Sequence, residues 1–229
     1  MSSGAGVVVI GAGGLGRETV DLVRATGRPV TGVVDDDLAA SAARLLRAMG
    51  VPHLGGLDAW LRSDPTDEHV VAVSAGAARE RLATAAARSR SRPTVLVHPS
   101  AVLGSLVELG PGALVGPGAV IGSNVRTGMH LHVGAGAVVG HDVRIGDHVA
   151  VHPCAAVSGT VTLGTRAVVG AAAVVLPGLH VGVGSVVGAA ACVTVDVPTG
   201  ATAVGVPARM RTPGADRATT CSPTHDERT

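Results

Sequence analysis

The chain has 229 residues, enough for one large domain or two small ones, and its 18 basic and 17 acidic side chains nearly balance, which excludes an electrostatic nucleic-acid binder with its basic stripe. With no Phe, no Tyr and only Trp60, a core must be built from Val, Leu, Ile and Ala, and 33 Gly imply many tight turns. Three distant cysteines (Cys154, Cys192, Cys221) form neither a disulfide framework nor a zinc pattern. No stretch reads as a signal peptide and the apolar runs are too short and broken to span a membrane, so no membrane association and a cytoplasmic location are expected.

Residues 7–10 (VVVI) predict a buried strand. Gly11-Ala12-Gly13-Gly14-Leu15-Gly16 follows, then a helix from Arg17 to Ala25 stopped at Gly27. Pro29 to Val34 predicts a second strand ending in Asp35-Asp36-Asp37, and Ala39 to Met49 a helix. Val70 to Val73 predicts a third strand, and Ala77 to Arg90 a basic, Ala-rich helix. Strand–helix alternation implies a small parallel α/β domain over 1–93.

From Val97 an apolar residue recurs every six positions through Val193, with Thr127 alone departing from Val, Leu or Ile. The position four residues later is mostly Ala or Val. Sustained hexads predict a solenoid of parallel strands over 94–211, three hexads to a triangular coil and five to six coils in all. Residues 212–229, rich in Thr, Pro, Asp and Arg, read as a disordered tail.

Gly11, Gly13 and Gly16 match G-x-G-x-x-G between a strand and a helix, where backbone N–H groups can meet a pyrophosphate. Asp35 stands near the spacing of a ribose-binding acid. Taken alone this suggests NAD, but the domain is too short for a two-halved dinucleotide fold. A non-catalytic NAD-binding scaffold is one alternative reading. A zinc hydratase on the same solenoid is another, although His141, His148 and His152 do not reproduce its histidine spacing.

Four local matches point further: the glycine loop with its Asp pair, His98-Pro99-Ser100-Ala101 before the repeat, Gly140-His141-Asp142 within it, and Gly205-Val206-Pro207-Ala208-Arg209 at its end. On these the chain resembles the hexapeptide-repeat sugar acetyltransferases, in the branch of sialic-acid O-acetyltransferases and bacterial UDP-amino-sugar N-acetyltransferases. The resemblance implies a Rossmann-like domain followed by a left-handed parallel β-helix in a homotrimer. It implies acetyl-CoA as co-substrate without a metal, and a sugar or nucleotide sugar whose amine or hydroxyl is acetylated. His141 becomes the general base, Asp142 its partner, and the Gly159 N–H the oxyanion donor. Coenzyme A would run along His152, Gly159, Gly170, Ala171, Gly188 and Ala189. The acceptor would meet Gly11, Gly13, Gly14, Leu15, Asp35, Asp36 and Ser74.

Three departures stand out. Gly13 and Leu15 replace the family's Ser and His, and Ser74-Ala75-Gly76 replaces a Gly-Asn-Asn-like segment. A second family His, nine residues after the base, is Ala150 here, with His148 and His152 as candidates to replace it. Arg79 and Arg81 read as solvated helix charges, or as phosphate contacts.

Overall fold

The computed structural model describes residues 6–211; the tail read as disordered lies outside them. In β1 (Val7–Ile10) every side chain is buried. Successive strand residues point to opposite faces, so such a run demands cover on both sides. Beside it lie β2 (Val30–Val34), β3 (Glu68–Val71) and β4 (Arg92–Pro93), all parallel, in the order β2-β1-β3-β4. Val7 and Val9 pack under α1 (Gly14–Ala25) and Leu46 of α2 (Ala40–Ala48). Val8 and Ile10 meet Leu57 and Trp60 of α3 (Leu57–Arg62) and Ala83 and Ala86 of α4 (Gly76–Ala86).

Two differences from the sequence expectation have physical causes. Helix α1 starts three residues early, because the glycine loop already supplies its first turn. Helix α3 was not expected: six residues are too few to show a helical period, and its start is fixed by Asp36 Oδ1, which accepts the Leu57 N–H at 2.7 Å from 21 residues away.

The hexads form a parallel solenoid with three faces. Leu96–Val97, Leu114–Val115, His132–Val133, Ala150–Val151, Val168–Val169, Val186–Val187 and Thr202–Val204 stack on the first. Val102–Leu103, Val120–Ile121, Val138–Val139, Ala156–Val157, Val174–Val175 and Cys192–Val193 make the second. Arg126–Thr127, Arg144–Ile145, Thr162–Leu163 and His180–Val181 make the third. Strand residues pair 18 positions apart, as Val133 does with Val151, until the last coil, where Val187 pairs with Ala203. The hexad aliphatics and the Ala or Val four places later fill the interior, from Val115 through Val197, almost without exposure. The exception, Leu103, is 37% exposed on a first coil that has no coil above it. Ser185, a polar residue in this interior, is satisfied by donating to the Gly182 carbonyl at 2.6 Å.

Each hexad turns its corner through one left-handed residue, from Leu106 (φ 61°) through Asp142 (φ 59°) to Ala190 (φ 56°). A closing hairpin pairs Thr202–Val204 with Arg209–Arg211 antiparallel. The α/β unit sits on the first face, where the outward Leu96 and Leu114 join its core and His132 and Ala150 are buried. Among the described residues no helix is long and apolar enough to cross a membrane.

Candidate active site

Residues 140–143 turn the corner between the second and third faces. The left-handed Asp142 bends its carboxylate back onto the preceding side chain, and Asp142 Oδ2 lies 2.7 Å from His141 Nδ1. Asp142 Oδ1 accepts the Asn124 amide at 2.6 Å, one coil earlier. These hydrogen bonds, first from His141 and then from Asn124, hold the Asp142 carboxyl below its ordinary range. An ionised acid on Nδ1 fixes the proton there and leaves Nε2 as the free base. The imidazole is 66% exposed.

One coil on, Gly159 lies against the imidazole: a Cβ at that position would stand 2.5 Å from His141 Nε2. The Gly159 N–H donates to no backbone acceptor among the described residues. Equivalent turns share that feature, but here the residue packs against the His141 imidazole. The sequence therefore converges His141, Asp142 and Gly159 on one exposed corner. Asn124 was missed, though its 18-residue offset from Asp142 is the signal that places it there.

His152, Gly170 and Gly188, with Ala171 and Ala189, fall on a different corner, between the first and second faces. They stack there one coil apart: a Cβ on Gly170 would meet the Ala189 nitrogen at 2.6 Å. Within one chain this column and His141 do not meet.

A cavity of about 480 Å³ opens between this second corner, the first face and α1. Gly14, Leu15, Ser74 and His152 line it, with His98, His132, Glu18 and Asp21, which sequence reading had not placed there. His98 and His152 share a column at multiples of 18, the signal that links them.

Gly11 and Gly16 are structural at this cavity's edge. Gly11 is left-handed (φ 115°), and a Cβ on Gly16 would run into the Gly11 carbonyl oxygen. Gly13 and Gly14 are open, with nothing within 4 Å of an added Cβ. Asp35 is engaged by the loop, accepting the Ala12 N–H at 2.6 Å and the Asp37 N–H at 2.9 Å. Asp36 is exposed and starts α3.

Arg79 corrects its sequence reading: it is buried, 1% exposed, rather than solvated or free for a phosphate. His148, offered with His152 as a substitute for the second His, is also buried, its ring stacked on His130 at 5.3 Å. Burial first, and then neighbouring charges that include Arg79, push His130 and His132 down to about 4. His148 and His152 are lowered by burial and then Arg79. Among the described residues no three His, Cys, Asp or Glu are placed to hold a metal ion. His141, on its separate corner, does not converge with His148 and His152 as a hydratase triad would require.

Residues 6–86 match the PglD N-terminal domain family. Across 92% of this chain and 98% of its own, a histidine-to-asparagine variant of perosamine N-acetyltransferase from Caulobacter crescentus, in complex with CoA and GDP-perosamine, is 33% identical with a TM-score of 0.83. WeeI from Acinetobacter baumannii AYE is 30% identical over 90% of this chain and 99% of its own, TM-score 0.81. The acetyltransferase domain of PglB from Neisseria gonorrhoeae FA1090, in complex with acetyl coenzyme A, is 28% identical over 90% and 99%, TM-score 0.84. The curated proteins yielded no match.

A parallel β-helix with an exposed imidazole corner, so matched over 90–92% of the chain, defines an acetyl-CoA-dependent acyltransferase. The chain belongs to the hexapeptide-repeat sugar acetyltransferases that carry a PglD-type N-terminal domain.

Proposed function

We propose that this acetyltransferase acylates the amine of a nucleotide-linked amino sugar, in the cytoplasm and as a homotrimer. The observation that carries the mechanism is the meeting of His141 Nε2 with the Gly159 backbone, behind an Asp142 that fixes the opposite ring nitrogen. The acceptor nitrogen attacks the thioester carbonyl while His141 Nε2 takes its proton. The Gly159 N–H donates to the oxyanion of the tetrahedral intermediate. Collapse breaks the carbon–sulfur bond, and the imidazolium returns the proton to the departing thiolate, leaving an amide and CoA.

The N-terminal unit, residues 1–93, receives the acceptor, and the solenoid over 94–211 receives the acyl donor. The perosamine enzyme, crystallised with GDP-perosamine, supports the acceptor class, and the cavity at Gly14, Leu15 and Ser74 offers it a place. Gly11 and Asp35 shape the loop on which such an acceptor rests, and Gly13 and Asp36 lie at its exposed rim. The trimer reading rests on the separation of the two corners. His141 stands at the edge of a second face whose Val120 and Val138 are 39% and 43% exposed, an apolar stripe suited to a neighbouring solenoid. The column of His152, Gly170, Ala171, Gly188 and Ala189 then serves as the wall for coenzyme A facing a neighbour's His141.

The test is thiol release from acetyl-CoA with GDP-perosamine and a panel of UDP- and TDP-amino sugars. Wild-type protein should release thiol with one acceptor class and run at three times its 22.4 kDa chain mass. His141→Ala should lower kcat by roughly 10²–10⁴-fold, the range for a positioned base. Near-normal turnover in His141→Ala would sink the mechanism.

A further inference from the structure

Arg79 is the charged residue in the core that the reaction scheme leaves unused. Among the described residues no carboxylate pairs with it. Nη1 donates to the Val73 carbonyl at 2.7 Å and the Ser74 carbonyl at 2.9 Å, and Nη2 donates to the His148 carbonyl. Nε finds no acceptor. Taking an uncompensated cation out of water is costly, and apolar side chains of similar size are often as good or better for stability. Packing alone therefore does not account for an arginine here.

Its three acceptors do have a common feature. Val73 and Ser74 lie on the loop joining β3 to α4, and Ser74 lines the cavity. His148 lies on the solenoid corner that leads into the first face, the face that supplies His132 to the opposite wall. The guanidinium fork thus ties the cavity-lining Ser74 loop to the solenoid corner that adjoins the first face. The seam around it is tight: a Cβ on Gly76 would stand 3.1 Å from the His148 carbonyl oxygen and 3.3 Å from the Arg166 side chain. An ion pair at its rim, Arg166 to Glu80 at 2.7 Å, ties α4 to the same corner.

We infer that Arg79 is a positioning residue that holds the Ser74 loop at a fixed distance from the solenoid and so sets the shape of the acceptor cavity; this rests on the reading of that cavity as the acceptor site. Among the described residues Arg79 hydrogen-bonds neither to the acyl donor column nor to His141.

Steady-state kinetics of full-length Arg79→Met and Arg79→Lys, at a temperature where both are folded, test it. The acceptor is the amino sugar nucleotide that wild-type protein uses, with GDP-perosamine tried first. Arg79→Met should raise the acceptor KM about tenfold or more, as misplacement of a binding wall does, while the acetyl-CoA KM stays within about twofold. Arg79→Lys, which keeps a donor within reach of the carbonyls, should fall between Met and wild type. An unchanged acceptor KM in both variants overturns the inference. So does a fall in kcat alone, which reports only a smaller folded fraction. If Arg79→Met does not fold, Arg79→Lys carries the comparison. If wild-type protein accepts no nucleotide sugar, the acceptor reading fails, and amide exchange judges the clamp separately. Exchange at residues 72–78 about tenfold faster in the variant, with β1 unchanged, supports it; uniform acceleration or none overturns it.

Discussion

At the scale of single residues, the proposed site depends on what is missing from Gly159 as much as on what His141 presents. An alanine there keeps the backbone N–H but puts a methyl 2.5 Å from where Nε2 now lies, so the imidazole must swing away. Displacement of a catalytic group by about 1 Å costs on the order of 10²-fold. Gly159→Ala should therefore lose about that much kcat, while its KM for acetyl-CoA and its thermal midpoint stay near wild type. A crystal structure of the variant with His141 unmoved would refute this account. Asp142 works through position too: its left-handed backbone turns the carboxylate onto Nδ1, and Asn124 braces it from the coil before.

Among the elements, α1 depends most on one side chain being absent. Its approach to β1 is closed by Gly16, whose hydrogen faces the Gly11 carbonyl oxygen. Both partners are backbone, so neither can rotate away. Gly16→Ala should push α1 off the sheet and destabilise the chain by roughly 1–3 kcal/mol, the usual range for overpacking, read as a lower chemical-denaturation midpoint. Because α1 carries Gly14, Leu15, Glu18 and Asp21 of the cavity, the acceptor KM should rise as well. The solenoid strands show the opposite behaviour: two or three residues each, they persist because each pairs with its copy one coil away.

At the scale of the whole molecule, burial favours the neutral form of several imidazoles among the described residues. His69, His130 and His132 are each pushed down from 6.5 to about 4. A histidine with a lowered folded-state value binds its proton more readily when unfolded. Its contribution is complete above the unfolded value and drains away as pH falls from about 6.5 toward 4. Each can contribute on the order of 3 kcal/mol at most by that count. Two of the three face the seam between the α/β unit and the solenoid, near Arg79, so acid should act on both units together. The thermal midpoint should be flat above neutrality and drop steeply between pH 6.5 and 4. His132→Gln should shallow that slope, and an unchanged slope would show that other groups govern it.

The sequence by itself determined the solenoid, because a hexad period that persists from Val97 to Val193 can bury its aliphatics only by stacking coils. It determined the β1–α1 turn as well, since Gly11 and Gly16 answer to local backbone geometry. The roles proposed for His141, Asp142 and Gly159 came from the resemblance, and their meeting at one corner follows from chain adjacency and the coil length. What lacked a local period was decided by tertiary structure. Helix α3 starts on a carboxylate 21 residues away. Arg79, one arginine among many on an Ala-rich helix, became a buried clamp only when α4 met the corner at His148. The cavity likewise exists only where α1 faces the first side of the solenoid. Hexad spacing fixes which residues share a corner, but the docking of one unit on the other depends on side chains that no repeat relates.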